Sequence, residues 1–290
     1  MAKTVKNKKP IQQILLPWYI LYGGKVLNYI SPRLATKFAG KLYLTPFKGK
    51  MPKRELYMDK HSEQEWLILP NSGKKIRVYK FGNPENPKVL LVHGWSGRGT
   101  QLSKIAETLV DKGFSIISFD APGHGKTPGK TSMMPYFVES IQALYKKFGV
   151  FNTIIGHSLG GMSTLKAVKE GVKTKKIVII GAADKISDLT IEFVSNLNMD
   201  EKVAHLLKAE FDEKFGTDVN NFSSSVSAKK VDCPCLIIHD KDDVDVPVSC
   251  AFNIQKELKN SEIFITKHLG HRKILGDKKV INKIATFMTA

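Results

Sequence analysis

The sequence predicts an α/β fold: a doubly wound, mostly parallel sheet of about eight strands, a small helical cap and a helical N-terminal extension. Three observations lead there. Short, wholly apolar runs rich in Val, Ile and Leu recur along most of the chain, the mark of strands buried on both faces. Amphipathic stretches of helical period separate them. One interval, between Gly181 and Cys235, has no strand at all.

The N-terminal region, residues 1–60, stands apart in charge. It carries 13 Lys/Arg against 2 Asp/Glu, a large share of the net charge of +18. Lys3 to Lys9 is basic and Ile11 to Ile30 is fairly apolar, which resembles a signal peptide, but no small-x-small cleavage site follows. Gln12, Gln13, Pro17, Gly23, Gly24, Lys25 and Asn28 interrupt the run, so it falls short of a membrane span. Ile14, Leu15, Trp18, Tyr19, Leu21, Tyr22, Val26 and Ile30 form one apolar helical face. Such a face docks on the protein's own body or a second subunit, or lies peripherally on an anionic membrane.

Residues 61–290 form the second unit. Trp66–Leu69 and Ile76–Phe81 read as strands paired across Asn71-Ser72-Gly73. Val89–His93, Phe114–Asp120, Thr153–His157, Ile177–Gly181, Cys235–His239 and Ile263–Lys267 are the buried strands. Gln101–Asp111, Met134–Phe148, Leu159–Glu170, Val248–Leu258 and Lys278–Met288 are the helices between and after them. In the strandless interval Ile186–Asn196 and Glu201–Phe215 read as helices and Asn220–Ser227 as a polar loop, giving a cap over about residues 184–230. Right-handed crossovers bring the C-terminal strand ends to one rim, where ligands bind.

The chemistry gathers on that rim. Gly156-His157-Ser158-Leu159-Gly160 sits between a strand and a helix. A serine on so sharp a turn needs small neighbours, and it lies at a helix N-terminus, where developing negative charge is favoured. A serine hydroxyl needs an adjacent base. His271, just past the last strand, is the candidate, with His268 close by. His93, His124, His157 and His239 fall at strand ends or in rim loops and shape the site. The base needs an acid to orient it. Asp243 follows the strand Cys235–His239 in a run with four aspartates; Asp245 and then Asp184 are the alternatives. Backbone N–H groups of Trp95 and Leu159 are placed to hold an oxyanion, and Gly94, Trp95 and His157 to contact substrate.

Taken together, His93-Gly94-Trp95, Asp120-Ala121-Pro122-Gly123-His124-Gly125, Gly156–Gly160, the His239–Pro247 run and Gly270-His271 resemble the α/β-hydrolase superfamily over about residues 65–290. The resemblance implies a Ser158–His271–Asp243 triad acting through an acyl-enzyme, with no metal or organic cofactor. Its acid motif aligns with His239–Pro247 and selects Asp243, although Asp240 stands where glycine is usual. The function expected is hydrolysis of a carboxylic ester or related acyl bond. The alternatives are acyl transfer or carbon–carbon bond hydrolysis with the same triad, or a non-catalytic membrane-surface or partner-binding protein.

Phe193, Leu197, Met199, Leu206, Leu207, Phe211 and Phe215 either line an acyl pocket or pack the cap. Cys233, Cys235 and Cys250, odd in number and irregular in spacing, read as reduced thiols of a cytoplasmic protein. A small-molecule ester or acyl compound is the expected partner; no zinc module or aromatic-basic stripe points to nucleic acid. The sequence leaves the oligomeric state open, a dimer included.

Overall fold

A computed structural model describes residues 17–290. Ile14, Leu15 and the basic run Lys3–Lys9 lie outside the described residues. The sheet comprises β1 (Glu63–Ile68), β2 (Lys75–Phe81), β3 (Lys88–Val92), β4 (Ser115–Asp120), β5 (Phe151–His157), β6 (Thr174–Ile180), β7 (Cys235–Asp240) and β8 (Ser261–Thr266). Their order is β1-β2-β4-β3-β5-β6-β7-β8. β2 runs antiparallel to both neighbours, and β4 through β8 pair in parallel. The apolar runs are central because alternate side chains serve opposite faces. Leu90, Val92, Ile177 and Ile179 enter one core, and Val89, Leu91, Val178 and Ile180 enter the other.

The helices are α1 (Trp18–Ile30), α2 (Pro32–Tyr43), α3 (Leu56–His61), α4 (Ser103–Asp111), α5 (Met134–Phe148), α6 (Leu159–Lys169), α7 (Ile186–Asn196), α8 (Glu201–Phe215), α9 (Ser224–Ala228), α10 (Ser249–Glu257), α11 (Gly270–Lys273) and α12 (Lys278–Thr289). Phe137, Ile141 and Leu144 of α5, Leu165 of α6 and Ile254 of α10 cover the first face. Ile105 and Leu109 of α4 with Val280 and Ile284 of α12 cover the second.

The segment 220–227 is not the loop its polar composition suggests. It forms a 3-10 turn, Val219–Phe222, and then α9. Its polar side chains are spent on local bonds. Asp218 accepts from the Asn220 N–H, and the Ser224 hydroxyl donates to the Ala183 carbonyl at 2.6 Å, tying the turn to the exit of β6.

The N-terminal helices lie on the cap. Pro17 precedes α1, and Ser31 with Pro32 stops it and starts α2, the Ser31 hydroxyl accepting from the Leu34 N–H. A Cβ at Gly24 would stand 2.8 Å from Met199, and one at Gly40 would stand 3.0 Å from Leu207, so both glycines let the helices sit close to the cap. Tyr43 meets Phe193 edge-on at 5.0 Å and Phe211 at 5.4 Å. Leu197, Met199 and Leu207 are thus packing residues of this helix–cap contact, while Phe193, Phe211 and Phe215 also reach a cavity beneath. From Leu44 to Glu55 the chain then wraps the rim. Leu44 accepts from the Ser132 N–H, the Phe47 N–H donates to the Ser96 hydroxyl, Arg98 donates to the Gly49 carbonyl and Thr100 donates to Glu55.

Asp120 joins the rim loops from the inside. Fully buried at the end of β4, it accepts from the Gly99 N–H (2.6 Å), the Lys126 N–H (2.7 Å) and the Tyr79 hydroxyl (3.0 Å). Asp120→Ala strands two buried donors, the Gly99 N–H and the Tyr79 hydroxyl, and the part-buried Lys126 N–H, and a loss on the order of 3 kcal/mol is expected. Urea unfolding should show a lower midpoint at an unchanged slope; an unchanged midpoint would remove Asp120 from this role.

Candidate active site

β5 ends in a turn whose backbone few residues tolerate. Ser158 has φ +54° and ψ −121°, a left-handed conformation costing a non-glycine residue roughly 1–3 kcal/mol. The surroundings hold it there. Its N–H donates to the Ile180 carbonyl at 2.8 Å, and its carbonyl accepts from Gly161 and Met162. A Cβ at Gly160 would lie 2.3 Å from the Val92 carbonyl oxygen, and one at Gly156 would lie 2.5 Å from the Gly160 oxygen. Backbone therefore packs on backbone at both positions, and only glycine fits. Gly94 brings the loop after β3 to Ser158: a Cβ there would lie 3.1 Å from the Ser158 Cβ and 2.9 Å from His157 Nδ1.

The structure brings Ser158, His271 and Asp243 together from three separate strand ends. Ser158 and His271 line one cavity of about 270 Å³. His271 Nδ1 lies 2.7 Å from Asp243 Oδ2. Asp243 is buried, and its other oxygen accepts from the Asp245 and Val246 N–H groups, each at 2.9 Å. Gly181, at φ +58°, leaves room for this pair, since a Cβ there would lie 3.2 Å from His271 Nδ1. Asp245 lines the cavity, whereas Asp184 is held elsewhere by Asn253 and Ser225. His268 is exposed and pairs with Asp242.

Asp240, the residue standing where the resemblance leads one to expect glycine, has its own task. It accepts from Asp242 N–H, the Thr266 hydroxyl and Leu269 N–H, and so binds the loop carrying Asp243 to the loop carrying His271. Burial pushes its carboxyl up, but these bonds and one from the Gly270 N–H outweigh that and hold it below the usual carboxylate value.

The other histidines brace the site. His157 Nε2 lies 2.9 Å from the His271 carbonyl and fixes the residue that follows β8. Burial drives His157 and His124 well below the usual histidine range and His93 down to about 4, so all three stay neutral at neutral pH. His93 bridges two loops, its Nδ1 toward the Gly94 carbonyl and its Nε2 accepting from the Ala121 N–H. His239 Nε2 lies 2.9 Å from the Val246 carbonyl.

Trp95 and His157 line the cavity, while Gly94 packs against Ser158 and His157. Leu159 is the first residue of α6, so its N–H has no intrahelical acceptor. Asp243, Asp245 and His271 present ligand atoms within 4.8 Å of one another. Both Asp243 oxygens are already engaged, Oδ2 by His271 Nδ1 and Oδ1 by two N–H groups, so a cation there would compete with those bonds.

Several cavity residues were not legible in advance. Ile20, Leu42, Tyr43, Leu44 and Phe47 come from the N-terminal region, and no local pattern announces that they face Ser158. Glu192 comes from α7, where it shares the Leu189–Phe193 face; a carboxylate in that apolar stripe was the available signal. Burial, with Asp245 and Asp243 nearby, pushes its carboxyl up to about 7.

Residues 83–213 match the family model "Serine aminopeptidase, S33". That span holds Trp95 and Ser158 and ends before Asp243 and His271. A serine hydrolase-like protein of Mus musculus is 28% identical over 36% of this chain and 34% of its own length. The chain thus spans about a third of the length of such serine hydrolase relatives. A 2-hydroxy-6-oxo-6-(2'-aminophenyl)hexa-2,4-dienoic acid hydrolase of Metapseudomonas resinovorans is 24% identical over 69% of this chain and 82% of its own. Among solved structures, an esterase from Exiguobacterium antarcticum superposes with a TM-score of 0.62 at 16% identity, covering 79% of this chain and all of that one. With the sheet order and the turn at Ser158 already in place, these likenesses show that the chain has the fold of the α/β-hydrolases.

Proposed function

We propose that the chain is a serine hydrolase that cleaves a carboxylic ester or related acyl bond. The observation that carries this reading is the strained turn presenting Ser158 to the same cavity as His271, which is itself held by the buried Asp243. In this reading Ser158 Oγ attacks the acyl carbon while His271 takes its proton. The Trp95 and Leu159 N–H groups receive the oxyanion. The bond to the leaving oxygen breaks, and His271 passes the proton to that oxygen. Water then adds to the acyl carbon, Ser158 regains its proton, and acid and alcohol depart. Asp243 keeps His271 in the tautomer whose Nε2 is free to accept. The cavity walls, among them Leu42, Tyr43, Phe193, Phe211, Phe215 and Phe222, suit an apolar acyl chain.

A second observation favours contact with an anionic membrane surface, and we propose it as the way the protein meets apolar substrates. Residues 1–54 contain twelve Lys/Arg and no Asp or Glu. On α1, Trp18 (77% exposed), Tyr22 (65%), Tyr29 (92%) and Ile30 (65%) face outward. Exposed Trp and Tyr beside lysines match the chemistry of a headgroup interface. No helix among the described residues is long and apolar enough to cross a membrane.

Three measurements test these readings. A fluorophosphonate probe should label the wild type and leave Ser158→Ala unlabelled, with p-nitrophenyl ester hydrolysis reduced on the order of 10⁴-fold or more in the variant; equal labelling would sink the assignment. Vesicles of phosphatidylglycerol should sediment the protein, high salt should release it, and Trp18→Ser with Tyr22→Ser should weaken capture; binding indifferent to charge, salt and substitution would end the membrane reading. Glu192 supplies the third. Its carboxyl is raised from 4.5 to about 7 on folding, so its neutral form favours the folded state. That stability is complete at low pH and is lost as pH rises through about 7. Glu192→Gln should therefore melt with the wild type near pH 4 and above it near pH 8; a gap that does not change with pH would contradict the burial argument.

A further inference from the structure

A second cleft adjoins the cavity, and it is basic. Arg54, Gln101, Lys104, Arg272, Lys273 and Asp277 are among its walls. Four cations thus face one carboxylate, and Asp277 is occupied in capping α12, accepting from the Lys279 and Val280 N–H groups. Arg54 lies 3.6 Å from Glu55, and Lys104 is paired with Glu107 at 2.6 Å. Among the described residues, neither Arg272 nor Lys273 has a carboxylate within 4.0 Å. Partial desolvation lowers the Arg272 guanidinium from its usual value, Asp245 opposes this, and Arg54 adds to it. Arg272 is exposed at the surface, and a guanidinium beside a second arginine is stabilised by an anion between them.

The position matters as much as the charge. Gln101 and Arg272 line both the cleft and the cavity that holds Ser158. Gln101 also accepts from the Gly94 N–H at 2.8 Å, so it belongs to the loop that approaches Ser158. Arg272 directly follows His271. In the proposed reaction His271 delivers the proton to the leaving atom, so the leaving group lies on the His271 side, where the cleft opens. The apolar walls take the acyl chain.

We infer that this cleft seats a phosphate carried by the leaving group, so that the substrates are acyl esters or thioesters of a phosphorylated alcohol or thiol. This rests on the proposed hydrolysis and specifies its substrate class. The covalent steps are those given above, with a sulfur in place of the leaving oxygen for a thioester, and the phosphate itself is not altered. A phospholipid-type headgroup and a soluble phosphorylated thiol present the same anion to Arg272.

The test uses two matched pairs on the full-length protein. Decanoyl glycerol phosphate is compared with monodecanoyl glycerol, and decanoyl coenzyme A with decanoyl N-acetylcysteamine. The wild type should prefer the phosphorylated member of at least one pair by about tenfold or more in kcat/KM, the worth of one charge-assisted hydrogen bond. Preference in the glycerol pair identifies a lipid headgroup, and in the thioester pair a soluble thiol. Within each variant the same ratio is read, so a general loss of activity cancels. Arg272→Gln should bring the ratio near one; if that variant fails to fold, Lys104→Gln combined with Lys273→Gln should lower it instead. A wild-type ratio near one in both pairs, or a ratio untouched by the substitutions, overturns the inference. Turnover that survives Ser158→Ala would overturn the proposed hydrolysis itself, whereas turnover lost in Ser158→Ala without a phosphate preference overturns only the cleft. Should no decanoyl compound turn over, calorimetric titration with glycerol phosphate and with coenzyme A decides it. Binding weakened by Arg272→Gln supports the cleft, and absent or unaltered binding overturns it.

Discussion

Where α6 crosses β3 and β5 backbone lies against backbone, because Gly156 of β5 and Gly160 of α6 carry no side chain to hold them apart. The Cβ positions of these two residues fall 2.3–2.5 Å from carbonyl oxygens, a distance no other residue survives. That contact lets the chain leave β5 and enter α6 within a single residue, and Ser158 is the residue left at positive φ between them. Everything else in the site is arranged around that fixed hydroxyl. Gly94 has to be small because the Ser158 turn is where it is. Gly181 has to be small because the His271–Asp243 pair approaches from the other side. The local strain of the turn is carried by packing and by the Ser158 N–H bond to Ile180, not by any property of the serine itself.

Two buried carboxylates extend that order to the rim loops. Asp120 gathers the loops after β3 and β4, and Asp240 gathers those after β7 and β8. Each spends its charge on backbone donors whose positions it dictates, so neither is free to join the chemistry. The neutral histidines behave similarly. His93 and His157 sit within the site, yet burial keeps them uncharged and their nitrogens hold loops. A rim rich in titratable side chains thereby leaves His271 as the imidazole that both faces the cavity with Ser158 and bonds Asp243.

The walls of the cavity follow a different logic. The basic N-terminal region reads as an appendage in one dimension, but in three it meets both the cap and the rim, with Tyr43 between Phe193 and Phe211 and Phe47 pinned to Ser96. The outward side of α1 keeps its aromatic residues exposed, while Ile20 on the same helix reaches the cavity. One short helix therefore contributes both to the proposed acyl site and to the proposed membrane face, which ties where the protein sits to what it admits.

What the sequence determined by itself is local and periodic: the buried strands, the helices between them, the cap helices Ile186–Asn196 and Glu201–Phe215, and the strand–Ser158–helix turn. Those features follow from side-chain volume, burial and backbone freedom over a few residues, so they are written in contiguous text. It missed the helical turns within 219–228, because serines and asparagines that bond their own backbone look the same as loop residues until the neighbouring strand exit is known. The sequence ranked Asp243 above Asp245 by its distance past the strand end and by the resemblance; the geometry places Asp243 at 2.7 Å from His271. The cavity walls, Glu192 within them and the Arg272 cleft beside them were decided by tertiary structure alone. Each depends on residues more than a hundred positions apart meeting across the rim, and which surfaces meet is fixed by how whole elements pack, a property no single stretch of sequence contains.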